Sequence, residues 1–214
     1  MKITAPRITK VLKEDCTLDE TLLLPGEDLA EYSFRNQRVF EIKTENMSMQ
    51  DCLFTNSILI GCGIKKSQFS DIIFKNCDLS NMNFSGSGFH RIEFIECKLI
   101  GTNFSESALN HIVFSNCKAE YLNLSMSKLK YVSFDRCDLR NSSFENGQYA
   151  SVNFHESDLK EAEFYRTLKG VDFSTCDITG IRISPIIGCE LRGATVTSLQ
   201  ALELAHLLGV TIKG

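Results

Sequence analysis

Tryptophan is absent from the 214 residues, proline occurs only three times, and no apolar run approaches the length of a membrane span. A membrane-spanning helix needs about 18 or more apolar residues, and the longest apolar runs, such as residues 57–61, are far shorter. Residues 1–16 also lack the apolar core of a secretion signal. We therefore expect a cytoplasmic protein that makes no membrane contact.

The chain also lacks a strong charge of either sign. It has 27 acidic and 23 basic residues, a net charge of −4, and 43% hydrophobic residues. This composition excludes a disordered chain and an ordinary polybasic nucleic-acid binder, and the length suits one domain. The nine cysteines cannot all form disulfides with one another, and their spacing lacks the close pairs of zinc sites, so we interpret them as apolar filler.

What the sequence does contain is a repeat of five residues. At every fifth position from 54 to 164 the residue is large and apolar, in 22 of 23 cases, and Ala119 is the exception. A second column, two residues earlier in each unit, holds mostly small residues and no charged one. On a helix, every fifth side chain advances by about 140°, and on a flat strand odd spacing alternates faces. The repeat therefore predicts short strands separated by corners.

The kind of residue in each column repeats every 20 positions. Cysteine recurs at 77, 97, 117 and 137, and one inward column consists of phenylalanine. Four pentapeptides therefore form one square coil, with residues 20 apart stacked at about 4.8 Å. We predict an all-β solenoid, a quadrilateral β-helix of pentapeptide repeats with four per coil and about eight coils. Its structural core includes Phe74, Phe94, Phe114, Phe134 and Phe154.

The repeat divides the chain into three parts. The predicted β-helix covers residues 24–187, follows an irregular N-terminal segment (1–23), and precedes a C-terminal cap (188–214). Poorer repeats at its start predict irregular first coils. After Phe164 the next large residue, Leu168, comes one position early, which predicts a shortened corner.

The C-terminal cap contains a short α-helix, predicted over residues 198–208. Thr197 and Gln200 have the spacing of a capping box, and Gly209 suits the residue after the helix. Leucines surround this helix almost completely, more than one face against a solenoid needs. We predict that the helix covers the end of the last coil and forms a twofold homodimer. The predicted dimer interface consists of Leu199, Leu202, Leu204, Leu207 and Leu208.

No catalytic constellation is found, so we expect no enzyme activity, no cofactor and no metal. The repeat places His90, His111 and His155 in outward positions that share no column, where we interpret them as solvated. Residues 141–164 are acidic, with five carboxylates and only one basic residue. This acidic patch, Glu145, Glu156, Asp158, Glu161 and Glu163, is either an ordinary solvated surface or a binding surface.

The repeat resembles the pentapeptide-repeat motif A(D/N)LXX, most closely at Cys77-Asp-Leu-Ser-Asn81, Cys137-Asp-Leu-Arg-Asn141 and Ser157-Asp-Leu-Lys-Glu161. The end of the chain, with Glu190-Leu-Arg-Gly193, Gln200-Ala201 and Leu207-Leu-Gly-Val210, is similar to that of the Qnr quinolone-resistance proteins. This resemblance runs over essentially the whole length. The unbroken repeat from 54 to 164 departs from the members that carry two projecting loops and resembles the loop-free members.

The resemblance implies a right-handed β-helix that dimerises through its C-terminal helix and resembles duplex DNA in shape and charge. It further implies that the protein binds the type II topoisomerases DNA gyrase and topoisomerase IV, without binding nucleic acid directly, and relieves fluoroquinolone inhibition. The acidic patch would then face the topoisomerase. Two alternatives remain open, namely immunity against a gyrase poison and a structural scaffold unrelated to topoisomerases.

Charge limits how far the DNA comparison can be taken. Eight coils form a rod of roughly 40 Å, or ~80 Å in a dimer. Duplex DNA of that length carries ~47 negative charges, whereas two chains of −4 carry −8 in total. Shape and the local acidic patch would therefore have to contribute most of the recognition.

Overall fold

The computed structural model describes residues 2–14, 16–19, 23–165, 170–183, 191–207 and 210–211. Leu168, Leu208, Gly209 and the predicted domain boundary at 187/188 lie outside the described residues. Within them, no helix is both long enough and apolar enough to cross a membrane.

The described residues form fourteen short strands and one terminal helix, α1, at Ser198–Leu207. The strands are β1 Asp28–Ala30, β2 Ser33–Arg35, β3 Arg38–Phe40, β4 Lys43–Glu45, β5 Ser48–Thr55, β6 Ile58–Ile60, β7 Gly63–Lys65, β8 Gln68–Lys75, β9 Gly88–Ile95, β10 Ala108–Ser115, β11 Lys128–Asp135, β12 Gln148–His155, β13 Glu163–Phe164 and β14 Arg182–Ile183. All strand pairs are parallel, and from β1 to β12 each residue pairs with the one 20 positions later. This architecture is the predicted right-handed β-solenoid of about eight turns.

Each coil has four faces, which we number by their inward columns. Face 1 carries Phe54 and the phenylalanines every 20 residues after it, face 2 the column of Leu59, face 3 that of Ile64, and face 4 that of Phe69. The eight-residue strands cover face 4 and then face 1. Faces 2 and 3 are joined mainly by isolated parallel bridges, such as Asp78 to Lys98 and Asn83 to Asn103.

The corners have the same backbone conformation throughout the solenoid. Every fifth residue from 31 to 161 has a positive φ, between 46° and 70°. Most are not glycine, although this left-handed region disfavours ordinary side chains. The N–H of each such residue reaches the next coil, as Asn76 N–H does to the carbonyl of Ile95 at 2.9 Å. The period of five therefore reflects one left-handed corner per five residues.

The core consists of side chains stacked on their own equivalents. On face 1 the ring centroids of successive phenylalanines from 54 to 154 lie 4.7–5.1 Å apart. The eight described cysteines are free thiols, and seven are buried. Burial raises the pKa of the Cys52 thiol to about 11, so it stays protonated at neutral pH and acts as small apolar filler.

The two ends of the solenoid compare differently with the prediction. Beyond Phe164 the pairing offset falls to 19, as in Asp158 with Asp177 and Phe164 with Ile183, which confirms one missing residue in the register. The expectation of irregular first coils is wrong from residue 28 onward, where β1 to β4 pair regularly with the next coil. Ladder hydrogen bonds between backbones do not require large side chains, so Thr44 is tolerated in the inward column.

Candidate interaction surface

Helix α1 is attached to the last coil through its own N-terminal cap. Gln200 N–H donates to Thr197 Oγ1 at 3.2 Å, and Thr197 N–H donates to Gln200 Oε1 at 2.8 Å, which is the predicted capping box. The amide nitrogen of Gln200 also donates to the carbonyls of Phe173 and Cys176, at 2.9 and 2.8 Å. One side chain therefore starts the helix and satisfies two carbonyls at the open end of the solenoid.

The leucines predicted for the dimer interface differ in exposure. Leu199, Leu202 and Leu207 are 73%, 47% and 41% exposed, while Leu204 packs against the core. Leu208 lies outside the described residues. The three exposed leucines lie within one arc of the helix, because positions 199, 202 and 207 differ by no more than about 140° at 100° per residue. An apolar face of this kind is unusual for a monomer in water.

The acidic patch is distributed around a corner rather than over one face. Glu156 lies at the corner between faces 1 and 2, Asp158 on face 2, and Glu161 at the next corner. Glu163 and Glu145 lie on face 3, and burial, followed by the nearby Glu163, raises the pKa of Glu145. The five carboxylates thus form an acidic belt around about half of the rod.

Basic residues neutralise part of this acidic belt. Glu156 lies 4.0 Å from Arg136, and Glu163 lies 3.3 Å from Arg182. Asp158 lies between Arg140 and Lys160, at 3.9 and 3.6 Å. Exposed pairs of this kind contribute little to stability, but they reduce the negative potential that a partner would meet.

The N-terminal segment forms a surface that the sequence did not predict. Residues 2–12 run outside the coils, along the corner between faces 4 and 1. Thr4 N–H donates to Nδ1 of His111 at 3.1 Å, and Arg7 N–H donates to Oδ1 of Asp71 at 2.8 Å. We call residues 2–12 the strap. These contacts join residues 107 and 64 positions apart, a separation that no local pattern could reveal.

The interpretation of the histidines as unrelated solvated residues is therefore wrong for two of them. His90 and His111 are half-buried, and their rings lie 5.9 Å apart because the end of face 4 adjoins the following corner of the next coil. His155 is exposed and contacts Asp135 at 3.0 Å. Among the described residues, no group of three or more His, Cys, Asp or Glu side chains could hold a metal ion.

Comparison with known proteins places the coils in a family. Residues 87–164 match the family model described as a pentapeptide repeat region. The coils are a pentapeptide repeat region. In the structure, the same 20-residue pairing begins before the matched segment, at Asp28, and reaches beyond it with an offset of 19.

Solved structures of other pentapeptide-repeat proteins are similar to this chain, while a search of curated proteins finds no match. A trypsin-treated variant of QnrB1, a plasmid-mediated fluoroquinolone resistance protein, shares 23% identity at a TM-score of 0.48, covering 90% of this chain and 99% of that one. Full-length QnrB1 gives 24%, 0.38, 87% and 99%. HetL from Nostoc sp. strain PCC 7120, involved in heterocyst differentiation regulation, gives 12%, 0.42, 80% and 87%.

Proposed function

We propose that this protein binds type II topoisomerases, DNA gyrase or topoisomerase IV, as a DNA-shaped rod and protects them from fluoroquinolones. The resemblance of its C-terminal residues to those of the Qnr proteins supports this function. The uninterrupted pairing from Asp28 to His155 supports a rod without projecting loops. Such a rod would occupy a groove shaped for duplex DNA without catalysing a reaction.

The observation that carries the proposal is the exposed leucine face at one end of this rod. A twofold pairing of α1 through Leu199, Leu202 and Leu207 would bury apolar surface that is otherwise in water. It would also join two solenoids end to end into a rod of ~80 Å. The acidic belt would then lie near the centre of the dimer, on both sides of the joint.

Within this proposal, the acidic belt supplies local charge and the coils supply shape. Among the described residues, Glu145 and Glu161 have no cation within 4.0 Å, whereas the other three members do. Their charges would meet basic groups in a DNA-binding groove. We expect this contribution to weaken with added salt, because exposed charges are screened within about 10 Å at 0.1 M salt.

Supercoiling by purified gyrase in the presence of a fluoroquinolone tests the function directly. We expect added protein to restore supercoiling at equimolar or lower amounts. Inhibition without recovery would reduce the proposal to gyrase binding, and no effect would favour the scaffold. Protection against a peptide poison of gyrase, but not against the drug, would favour the immunity alternative.

The dimer is tested by replacing Leu199, Leu202 and Leu207 with serine. These side chains are exposed, so the coil should remain folded while light scattering reports a monomer and drug protection falls. Leu24→Ser is the matched control, because Leu24 is also 47% exposed but lies in the N-terminal part of the chain. A triple variant that remains dimeric would show that the interface lies elsewhere.

The acidic belt is tested by the combined variant Glu156→Gln, Asp158→Asn, Glu161→Gln and Glu163→Gln. We expect weaker gyrase binding and a smaller salt dependence. The control replaces four exposed carboxylates of the first coils, Glu27, Glu31, Glu41 and Glu45, with glutamine. Equal affinities for the two variants would assign the belt to the ordinary solvated surface.

A further inference from the structure

The strap lies along one corner column of the solenoid and binds it through backbone N–H groups. Thr4 and Arg7 are three residues apart, and their acceptors, His111 and Asp71, are two coils apart. Three extended residues span about 10 Å, and two coils span about the same distance. Farther along, Lys13 pairs in parallel with Tyr32 of the first coil. The strap therefore follows the rod axis in register with the coils.

Asp71 is a firm anchor for this segment. It is only 4% exposed, and Arg91 Nε donates to its Oδ1 at 2.6 Å, beside the bond from Arg7 N–H. Although burial acts in the opposite direction, the Arg91 guanidinium and the Arg7 N–H hold the pKa of Asp71 below its ordinary value. Asp71 therefore stays ionised throughout the range in which histidine titrates.

Two histidines must be neutral for the strap to remain bound in this arrangement. A backbone N–H can only donate, so Nδ1 of His111 accepts the bond from Thr4 and carries no proton. A guanidinium also only donates, so Nε2 of His90, which Arg91 contacts, is likewise unprotonated. Protonation of either ring would place two donors against each other.

We propose that the corner formed by Asp71, Arg91 and His111 is a proton-gated docking site for an extended peptide, occupied by the strap of this chain. At neutral pH the strap is bound and covers this corner. When His90 and His111 become protonated, the contacts with Thr4 and Arg91 are lost and the strap detaches from the rod. This gate is independent of topoisomerase binding.

The charged neighbours of the two histidines favour this response. His111 stacks on Tyr131 at 4.8 Å, and Lys130 lies over that tyrosine ring. Burial, then the charges of Arg91, His111 and Arg7, lower the pKa of His90, while Asp71 opposes them. Asp51 precedes Asp71 in the column, and burial, Asp71 and Glu31 raise its pKa.

The direction of the pH effect follows from the lowered pKa of His90. The bound state takes up the proton less readily than the detached state does. Its stabilisation by neutral His90 is therefore present above the ordinary histidine pKa of about 6.5 and is lost as the pH falls through the lower value of the bound state. Detachment is expected in mildly acidic solution.

Amide hydrogen exchange of Thr4 and Arg7, measured by NMR on the full chain, tests the docking site. We expect their protection factors to fall about tenfold or more between pH about 7.5 and about 5, since each unit of pKa difference contributes a factor of ten. Protection in β10 should remain, which would show that only the strap is released. Unchanged protection of Thr4 and Arg7 would overturn the gate.

Variants separate the gate from the anchor. Asn in place of His111 presents an oxygen where Nδ1 lies and tolerates the φ of 58°, so the double variant His90→Gln and His111→Asn should remain docked at both pH values. Asp71→Ala should remove the protection of Arg7 at both. His155→Asn, which changes the exposed histidine, should behave as the unaltered protein does. A double variant that still releases, or an Asp71→Ala protein that remains protected, would contradict the proposal.

Discussion

The coils up to Phe164 and the turn that follows them use the same repeat but differ by one residue. On face 1, rings 20 residues apart stack with centroids 4.7–5.1 Å apart. After the offset falls to 19, Phe154 and Phe173 lie 5.9 Å apart. Close stacking of identical side chains therefore depends on the constant register as well as on the residue type. The shortened turn keeps its residue buried but has a looser stack.

The largest expected effect comes from removing a ring within the regular stack. Phe114 is fully buried between Phe94 and Phe134, at 4.9 and 4.7 Å. We expect Phe114→Ala to lower the free energy of unfolding by about 3–5 kcal/mol. Phe173→Ala should cost at least about 1 kcal/mol less, because dispersion falls steeply with separation. Denaturant titration measures both, and equal losses would mean that register does not affect stacking.

A smaller effect is expected at the junction between the shortened turn and α1. Gln200→Ala removes the capping box and the two bonds to the carbonyls of Phe173 and Cys176. We expect a loss of about 1–2 kcal/mol, as for other N-terminal caps, with faster amide exchange in residues 171–183. Gln200→Glu retains the acceptor for Thr197 but loses both donors. If Gln200→Glu exchanges as slowly as the native protein, the helix does not hold the turn.

Within the regular coils, exchanging cysteine for serine should have little effect. Cys117 Sγ contacts the carbonyl of Phe94 at 3.3 Å, and Ser157 in the same column bonds to those of Phe134 and His155, at 3.4 and 3.0 Å. Because a serine hydroxyl can make the same contacts, Cys117→Ser should change stability by less than about 1 kcal/mol. Ser157→Cys is the reciprocal control. A large loss would show that the thiols have a role beyond filling space.

The smallest effect is expected at a corner. Tyr121 has a φ of 59° and is 60% exposed, so it bears backbone strain without compensating burial. Asn141 occupies the equivalent corner of the next coil, with a φ of 57°. Asparagine tolerates this conformation better, so Tyr121→Asn should raise the melting temperature slightly, by about 0.5 kcal/mol in free energy. Asn141→Tyr should have the opposite sign. A destabilised Tyr121→Asn protein would indicate a packing role for the tyrosine.

Much of the fold is predictable here because the repeat is regular. Spacing of five with modulation every 20 residues led to the four-sided coil, the phenylalanine column and the one-residue shift. The capping box of Thr197 and Gln200 was equally readable, since it depends on residues three positions apart. The regular pairing of the first coils was not predicted, because side chains such as Thr44 depart from the pattern while the backbone ladder does not.

The surfaces were less predictable than the core. The acidic segment appeared to be one patch, but the corners distribute its members from the corner before face 2 to face 3, beside Arg136, Arg140 and Arg182. The leucines of α1 appeared equivalent until Leu204 was found against the core and Leu199 in solvent. Outward positions alternate around the rod, so proximity in sequence does not imply a shared surface.

The sequence by itself determined the period, the number of sides and the inward columns, because these depend on contacts between residues at fixed short intervals. Only the tertiary structure decided where the strap lies and what the two histidines do. The bonds from Thr4 to His111 and from Arg7 to Asp71 join parts of the chain that become neighbours only after several coils have stacked. A local pattern describes how a coil forms, whereas a contact across coils depends on the completed rod.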